Sequence, residues 1–229
     1  MCLNLLILCQ LLFSATVLAN AQNFTVTESK IQQLISTHKH ENILSRIDSF
    51  SAFFIGQDTA YGPLGEGIRG EFDRDPLYLF DKFDCMTFVE TVLALSEAEN
   101  VDEFKDKLSE IRYADGNPSY LTRNHFVSLD WIPHNSQKGF IRDVTIEIFP
   151  QETIWVKTEI DKGQWLKKRT LSDLHNLEGL SNIEKQALVA KLHTLGNKYK
   201  KVQVTLPYIL LSAIYQNHEL INRLPSGAI

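Results

Sequence analysis

The apolar positions of this 229-residue chain change their period along its length. After an N-terminal apolar run, Ile31, Leu34, Ile35, Ile43, Leu44 and Ile47 recur at helical spacing, and they predict one helix from a capping Thr27 to about Ser49. Residues 56–82 crowd glycine, proline and acidic side chains together and predict a long ordered loop. Val89, Val92 and Leu93 then continue a helix from Met86 to about Ala98. A second helix starts at Asn100, has Glu103 in the reciprocal capping position and carries Val101, Phe104, Leu108 and Ile111 on one stripe. Asp115-Gly116-Asn117-Pro118 predicts a turn, after which the pattern shifts toward strands. Residues 124–132 and 140–148 read as two strands of a hairpin, with 135–139 turning the chain. A further strand is expected near Thr153 to Ile160, a helix from Ser181, with Glu184 as its reciprocal cap, to Leu195, and a strand through Val202, Val204 and Leu206. Helices and strands in this order predict an α+β fold.

Composition changes this picture little. A net charge of −5, a pI near 5.8 and 44% hydrophobic residues describe a globular chain and exclude nucleic acid as a partner on charge. The basic clusters at Lys167-Lys168-Arg169 and at 198–201 read as solvated faces. The first residues matter more. Leu5-Leu6-Ile7-Leu8 and Leu11-Leu12-Phe13 lead to Ala19-Asn20-Ala21, a run shorter than the ~20 residues of a membrane span, with small residues where a signal peptidase cuts. Residues 1–21 therefore predict a signal peptide and 22–229 a single exported domain with no stable membrane anchor. Two of the three cysteines, Cys2 and Cys9, fall in that leader, which leaves Cys85 alone in an oxidising compartment.

Cys85 stands where a turn feeds the apolar helix. There the unpaired N–H groups and the macrodipole favour the nucleophilic thiolate. The competing reading is a buried structural cysteine. A thiol nucleophile needs a base and a group that orients it. Of seven histidines, His38, His40, His175, His193 and His218 fall in helical or solvent-facing contexts, while His125 lies in a dense mixture of polar and aromatic residues from Tyr120 to Trp131. On a regular strand Asp130 would point away from His125, so Asp143 across the hairpin is the better orienter, giving a local triad of Cys85, His125 and Asp143. Alternatively, His125 and Arg123 bind substrate or stabilise the loop. Gly65-Glu66-Gly67-Ile68-Arg69-Gly70 fits dinucleotide glycine spacing, but no strand precedes it and no helix opens from it. No Cys or His spacing suggests zinc, and neither metal nor cofactor is expected.

The segment Phe83-Asp84-Cys85-Met86-Thr87-Phe88-Val89-Glu90, continuing through Thr91-Val92-Leu93-Ala94-Leu95, resembles the N-acetylmuramoyl-L-alanine amidase-like family, also called domain of unknown function fourteen-sixty. Tyr61 with Leu64-Gly65-Glu66-Gly67, Ile111-Arg112-Tyr113 with Gly116, Arg123-Asn124-His125-Phe126 with Asp130-Trp131-Ile132, and Asp143-Val144-Thr145 extend the likeness. That family belongs to the NlpC-type papain-like cysteine peptidases of bacterial cell walls. The resemblance implies a papain-like core with a helical and strand insertion, Cys85 as nucleophile and Tyr61 near the thiol. Glu66, Arg123, His125, Asp130 and Trp131 fall where it implies a substrate pocket. It also implies hydrolysis of the amide between muramic acid and L-alanine in peptidoglycan fragments, in the periplasm, with muropeptides as partners. The family's histidine base follows a turn that residues 224–229 resemble, so the core sheet is expected to be incomplete at the C-terminus. Three readings follow: an exported amidase represented by a shortened chain, an inactive muropeptide-binding product, or a complete hydrolase that uses His125 as its base.

Overall fold

Thr27 opens the first helix, its side chain accepting from the Lys30 amide, in a computed structural model that describes residues 26–228. Helix α1 spans Glu28–His38 and α2 spans Ile43–Phe53. The single helix predicted to Ser49 is thus two. The polar run from Thr37 to Asn42 offers nothing to bury, and the Asn42 side chain accepts from the Ser45 amide, which starts a new helix in place of continuing the old one.

Residues 56–82 form the expected ordered loop, pinned at its ends where β1 (Asp58–Thr59) pairs in parallel with β2 (Lys82–Phe83). Helix α3, Cys85–Glu97, follows at once, and α4 spans Val101–Arg112. Asn100 caps α4 as predicted, although the Glu103 carboxylate reaches the Glu99 amide, one residue ahead of the cap. The apolar stripes of α1 to α4 meet in one core. Ile31, Ile35, Phe50, Leu95, Phe104 and Ile111 are fully buried there, with Phe54, Phe80 and Phe83 from the connecting segments.

The predicted hairpin is absent. Residues 127–131 form a π-helical turn that runs into α5 (Ile132–Gln137), and 140–144 are irregular before the short α6 (Thr145–Ile148). Local polar side chains explain the override of the alternating pattern. Asp130 Oδ2 accepts the Phe126 amide, and the buried Asn135 amide donates to Ile111 O and Trp131 O, so backbone groups that a strand would pair are satisfied by a compact turn. Asp143 is exposed and accepts the Thr145 amide, so no facing strand presents it to His125.

Beyond this point β3 (Thr153–Ile160) pairs antiparallel with β4 (Val202–Ile209), from Thr153 opposite Ile209 to Ile160 opposite Val202. Between them lie α7 (Lys162–Lys167), a 3-10 turn and α8 (Asn182–Gly196), whose Ser181–Glu184 capping box matches the sequence expectation. Helices α7 and α8 meet through Gly163 and Gly196; a Cβ on Gly163 would lie 2.5 Å from Gly196 O. Phe72, Tyr120, Leu166 and Leu192 make a second, smaller core here. Helix α9 (Leu211–Gln216) and a 3-10 turn finish the described chain, which is α+β. The signal-peptide segment lies outside the described residues. Among the described residues no helix is long and apolar enough to cross a membrane.

Candidate active site

Cys85 is the first residue of α3, and its thiol is free and exposed, which overturns the buried structural reading. The turn before it is held by Asp84. Its Oδ1 accepts the Thr87 amide at 2.7 Å while Thr87 Oγ1 accepts the Asp84 amide at 2.9 Å, closing a capping box around the thiol's own turn. Its Oδ2 accepts the Gly62 amide at 3.2 Å, and the Ala60 amide donates to Phe83 O at 3.0 Å. The segment carrying Tyr61 is thereby laid against the residues that precede Cys85. The Tyr61 side chain itself is fully exposed.

Glu66 and Arg123, remote in sequence, form a buried ion pair. Arg123 Nε donates to Glu66 Oε1 at 2.7 Å, and its Nη2 bridges Glu66 Oε1 and Asp73 Oδ2, the latter at 2.9 Å. Two carboxylates thus share one guanidinium. Burial pushes the Glu66 carboxyl up to about 7, outweighing the attraction of Arg123, and Oε2 is buried without a partner. The glycines of the Gly65–Gly70 segment serve this packing. A Cβ on Gly70 would fall 2.1 Å from Asp73 O, and one on Gly65 would fall 2.3 Å from Asp73 Oδ1.

Behind this pair, Glu90 on α3 takes Arg112 Nε at 3.1 Å and Trp131 Nε1 at 3.0 Å, and burial lifts its carboxyl to about 7 as well. Trp131, expected in the pocket, is buried against the first core. Asp130 is also buried and pairs with Lys162 Nζ at 3.1 Å. His125 lies just before the π-helical turn, not on a strand, and its Nε2 is 2.7 Å from Tyr120 O. Among the described residues no hydrogen bond or ion pair joins His125 or any other histidine to Cys85. The structure therefore lays the backbone around Tyr61 against Phe83 and Asp84 and pairs Glu66 with Arg123, but no hydrogen bond or ion pair among the described residues links His125 or Asp143 to Cys85.

Sequence reasoning missed Asp73, Glu90, Arg112 and Lys162 as members of these networks. Glu90 and Arg112 stood inside matched segments, yet only contact shows that they pair. His175, read as solvent-facing, ties its segment to the loop through Nδ1, 2.9 Å from Asp75 Oδ2. Asp73, Asp75 and His175 lie close enough to share an ion. Every carboxylate oxygen there already faces a protein donor, from Arg123, the Asp75 amide, Asn176 or His175.

The family described as N-acetylmuramoyl-L-alanine amidase-like matches residues 49–229. A crystal structure of a Legionella pneumophila protein of the DUF1460 family is 31% identical, superposes with a TM-score of 0.82, and is matched over 87% of this chain and 69% of its own. An N-acetylmuramoyl-L-alanine amidase from Bacteroides uniformis is 23% identical at a TM-score of 0.47, over 71% of this chain and 63% of its own, a likeness too small to argue from. No curated protein matches the chain. The matched segments reach across Tyr61, Cys85, Glu66 and Arg123, and the chain belongs to the N-acetylmuramoyl-L-alanine amidase-like family.

Proposed function

We propose that this protein is an exported cysteine amidase of the NlpC-type papain-like superfamily, which cleaves the amide between N-acetylmuramic acid and L-alanine in peptidoglycan fragments. The observation that carries the reading is the exposed Cys85 thiol at the start of a long apolar helix, in a chain of an amidase-like family. The Cys85 thiolate attacks the lactyl carbonyl carbon, the C–N bond breaks as the amine leaves with a proton taken from solvent water, and a second water then hydrolyses the thioester, releasing the acid and returning a proton to the thiol. Amide groups at the α3 N-terminus face the developing oxyanion. Tyr61, Glu66, Arg123, Asp130 and Trp131 line or support the muropeptide pocket in this reading. Glu66 and Arg123 contribute charge, while Asp130 and Trp131 hold the wall behind them.

A second reading, a muropeptide-binding protein without turnover, is favoured by one observation: no hydrogen bond or ion pair joins a histidine to Cys85 among the described residues. Release of stem peptide from a defined muramyl-peptide, compared between this chain and Cys85→Ser under reducing conditions, separates the two. Cys85-dependent release is expected of the amidase. Binding without release from a folded chain would establish the second reading, and release that persists in Cys85→Ser would remove the nucleophile assignment.

A further inference from the structure

The β3–β4 ribbon has two outer edges, and they are not alike. Pro207 on β4 stands opposite Trp155 and has no N–H, so this pair turns its main-chain groups away from each other. The Thr153 amide agrees, since it donates to Phe149 O and not across the ladder. Alternation fixes the rest. Ile154, Val156, Thr158 and Ile160 bond to β4, while Trp155, Lys157 and Glu159 point their N–H and C=O groups outward. On the far side Pro207 removes a donor from the edge of β4, and the π-helical turn and α6 pack against that strand. The β3 edge has neither protection. It holds no proline, and its residues from Ile154 to Glu159 are all exposed.

An open edge of this length is a template for another strand, and the β3 sequence says which. Val156-Lys157-Thr158-Glu159-Ile160 is self-complementary about Thr158. Let two β3 edges meet antiparallel about a two-fold axis at Thr158. Lys157 of each copy then faces Glu159 of the other, in the pairs that exchange main-chain hydrogen bonds. On the opposite face Val156 meets Ile160, and Thr158 meets its own counterpart. Neighbouring registers lose this match. Centring on Lys157 or on Glu159 sets like charges opposite each other, and centring on Val156 sets Lys157 against Trp155. Within its own chain Lys157 has no partner among the described residues, and Glu159 has only the exposed Lys201.

We propose that β3 is a homodimerisation edge, on which a second copy of this chain adds antiparallel, centred on Thr158, to join the two ribbons into one four-stranded sheet. The interface is isologous, and charge complementarity sets its register. It stands independently of the amidase reading.

Sedimentation equilibrium of the full chain under reducing conditions reads the association. A monomer–dimer equilibrium is expected, with dimer in excess at about 100 µM. Lys157→Glu sets carboxylate against carboxylate and should weaken association about tenfold, as should Glu159→Lys, while the two exchanges together should restore it to within about threefold of the parent. Both side chains are exposed, so each variant should retain its circular dichroism. Thr158→Cys in a Cys85→Ser background tests the register. Facing residues of a non-hydrogen-bonded pair lie about 4.5 Å apart at Cα, within disulfide reach, so oxidation should give a cross-linked dimer. Val156→Cys in the same background should give none, because four residues of offset separate it from its counterpart. A chain that stays monomeric to about 200 µM overturns the proposal and leaves the edge to a strand of another polypeptide. A dimer that the charge exchanges leave unchanged, or one that cross-links through Val156→Cys and not through Thr158→Cys, places the interface elsewhere and overturns it too.

Discussion

Around α3 the side chains of Ile35, Phe50, Leu95 and Phe104 reach full burial, whereas along the β3–β4 ribbon Ile154, Trp155, Val156, Val202 and Tyr208 all face solvent. The two regions have similar apolar content in their sequences but spend it differently. Helix α3 is fixed at both ends, by the Asp84 capping box at the thiol and by Arg46, whose guanidinium donates to Leu95 O and Ala98 O at the far end. Between those ends its apolar face is closed by α2 and α4. The ribbon instead depends on main-chain pairing over eight residues of each strand and on the π-helical turn that leans on β4. Burial of apolar surface, not hydrogen bonding alone, fixes an element in place, because chain–water bonds nearly replace chain–chain bonds when a strand opens. The comparison teaches what α3 offers the proposed nucleophile, Cys85, at its first position. A reacting thiol needs its position held to fractions of an ångström, and of these two regions the helical one has the packing to do so.

The contrast is open to direct test, and the largest expected effect lies in the helical core. Phe104→Ala removes a fully buried ring that lies 5.4 Å from Phe80 and should cost about 3–5 kcal/mol in urea unfolding. A cost near zero would mean that the four-helix core is not the stabilising unit. Arg123→Leu is expected to be of comparable size, about 3–5 kcal/mol, because it leaves the Glu66 and Asp73 carboxylates buried without their shared cation.

The buried carboxyls give a smaller effect that depends on pH. Glu66 and Glu90 both rise from 4.5 to about 7 on folding, so the native state binds more protons than the unfolded chain between those values. Their stabilising contribution is complete below about pH 4.5 and is lost as pH rises through about 7. Glu66→Gln should flatten that fall in unfolding midpoint, and an unchanged slope would remove Glu66 from the account.

Asp84→Ala comes next, at about 1–2 kcal/mol, since it deletes the α3 cap and frees the Gly62 amide. Its distinguishing readout is a changed alkylation rate of Cys85. The smallest effect belongs to the ribbon: Trp155→Ser, at 57% exposure, should cost no more than about 1 kcal/mol. A cost like that of Phe104→Ala would erase the distinction between the regions.

The elements that were legible in the sequence are those whose signals are local and mutually consistent. Thr27, Asn100 and Ser181 cap helices as read, and the strands near Thr153 and Val202 form where the alternation placed them. The reading failed at 124–148, where alternation suggested a hairpin but Asp130 and Asn135 turn their side chains onto the backbone. It also failed at Asn42, where a cap splits a continuous stripe. Of the candidate site, Cys85 at a helix start was readable because both signals lie within a few residues. The pairing of Glu66 with Arg123 was not, since 57 residues separate them.

The sequence by itself determined which segments form helices around Cys85, because caps and apolar stripes act over one or two turns of chain, and it determined the family through the matched segments. Tertiary structure alone decided which charges share a buried site, that Arg123 binds two carboxylates, that Trp131 donates to Glu90, and that His125 Nε2 meets Tyr120 O. Those contacts follow from desolvation and fit between distant segments, which no local pattern encodes.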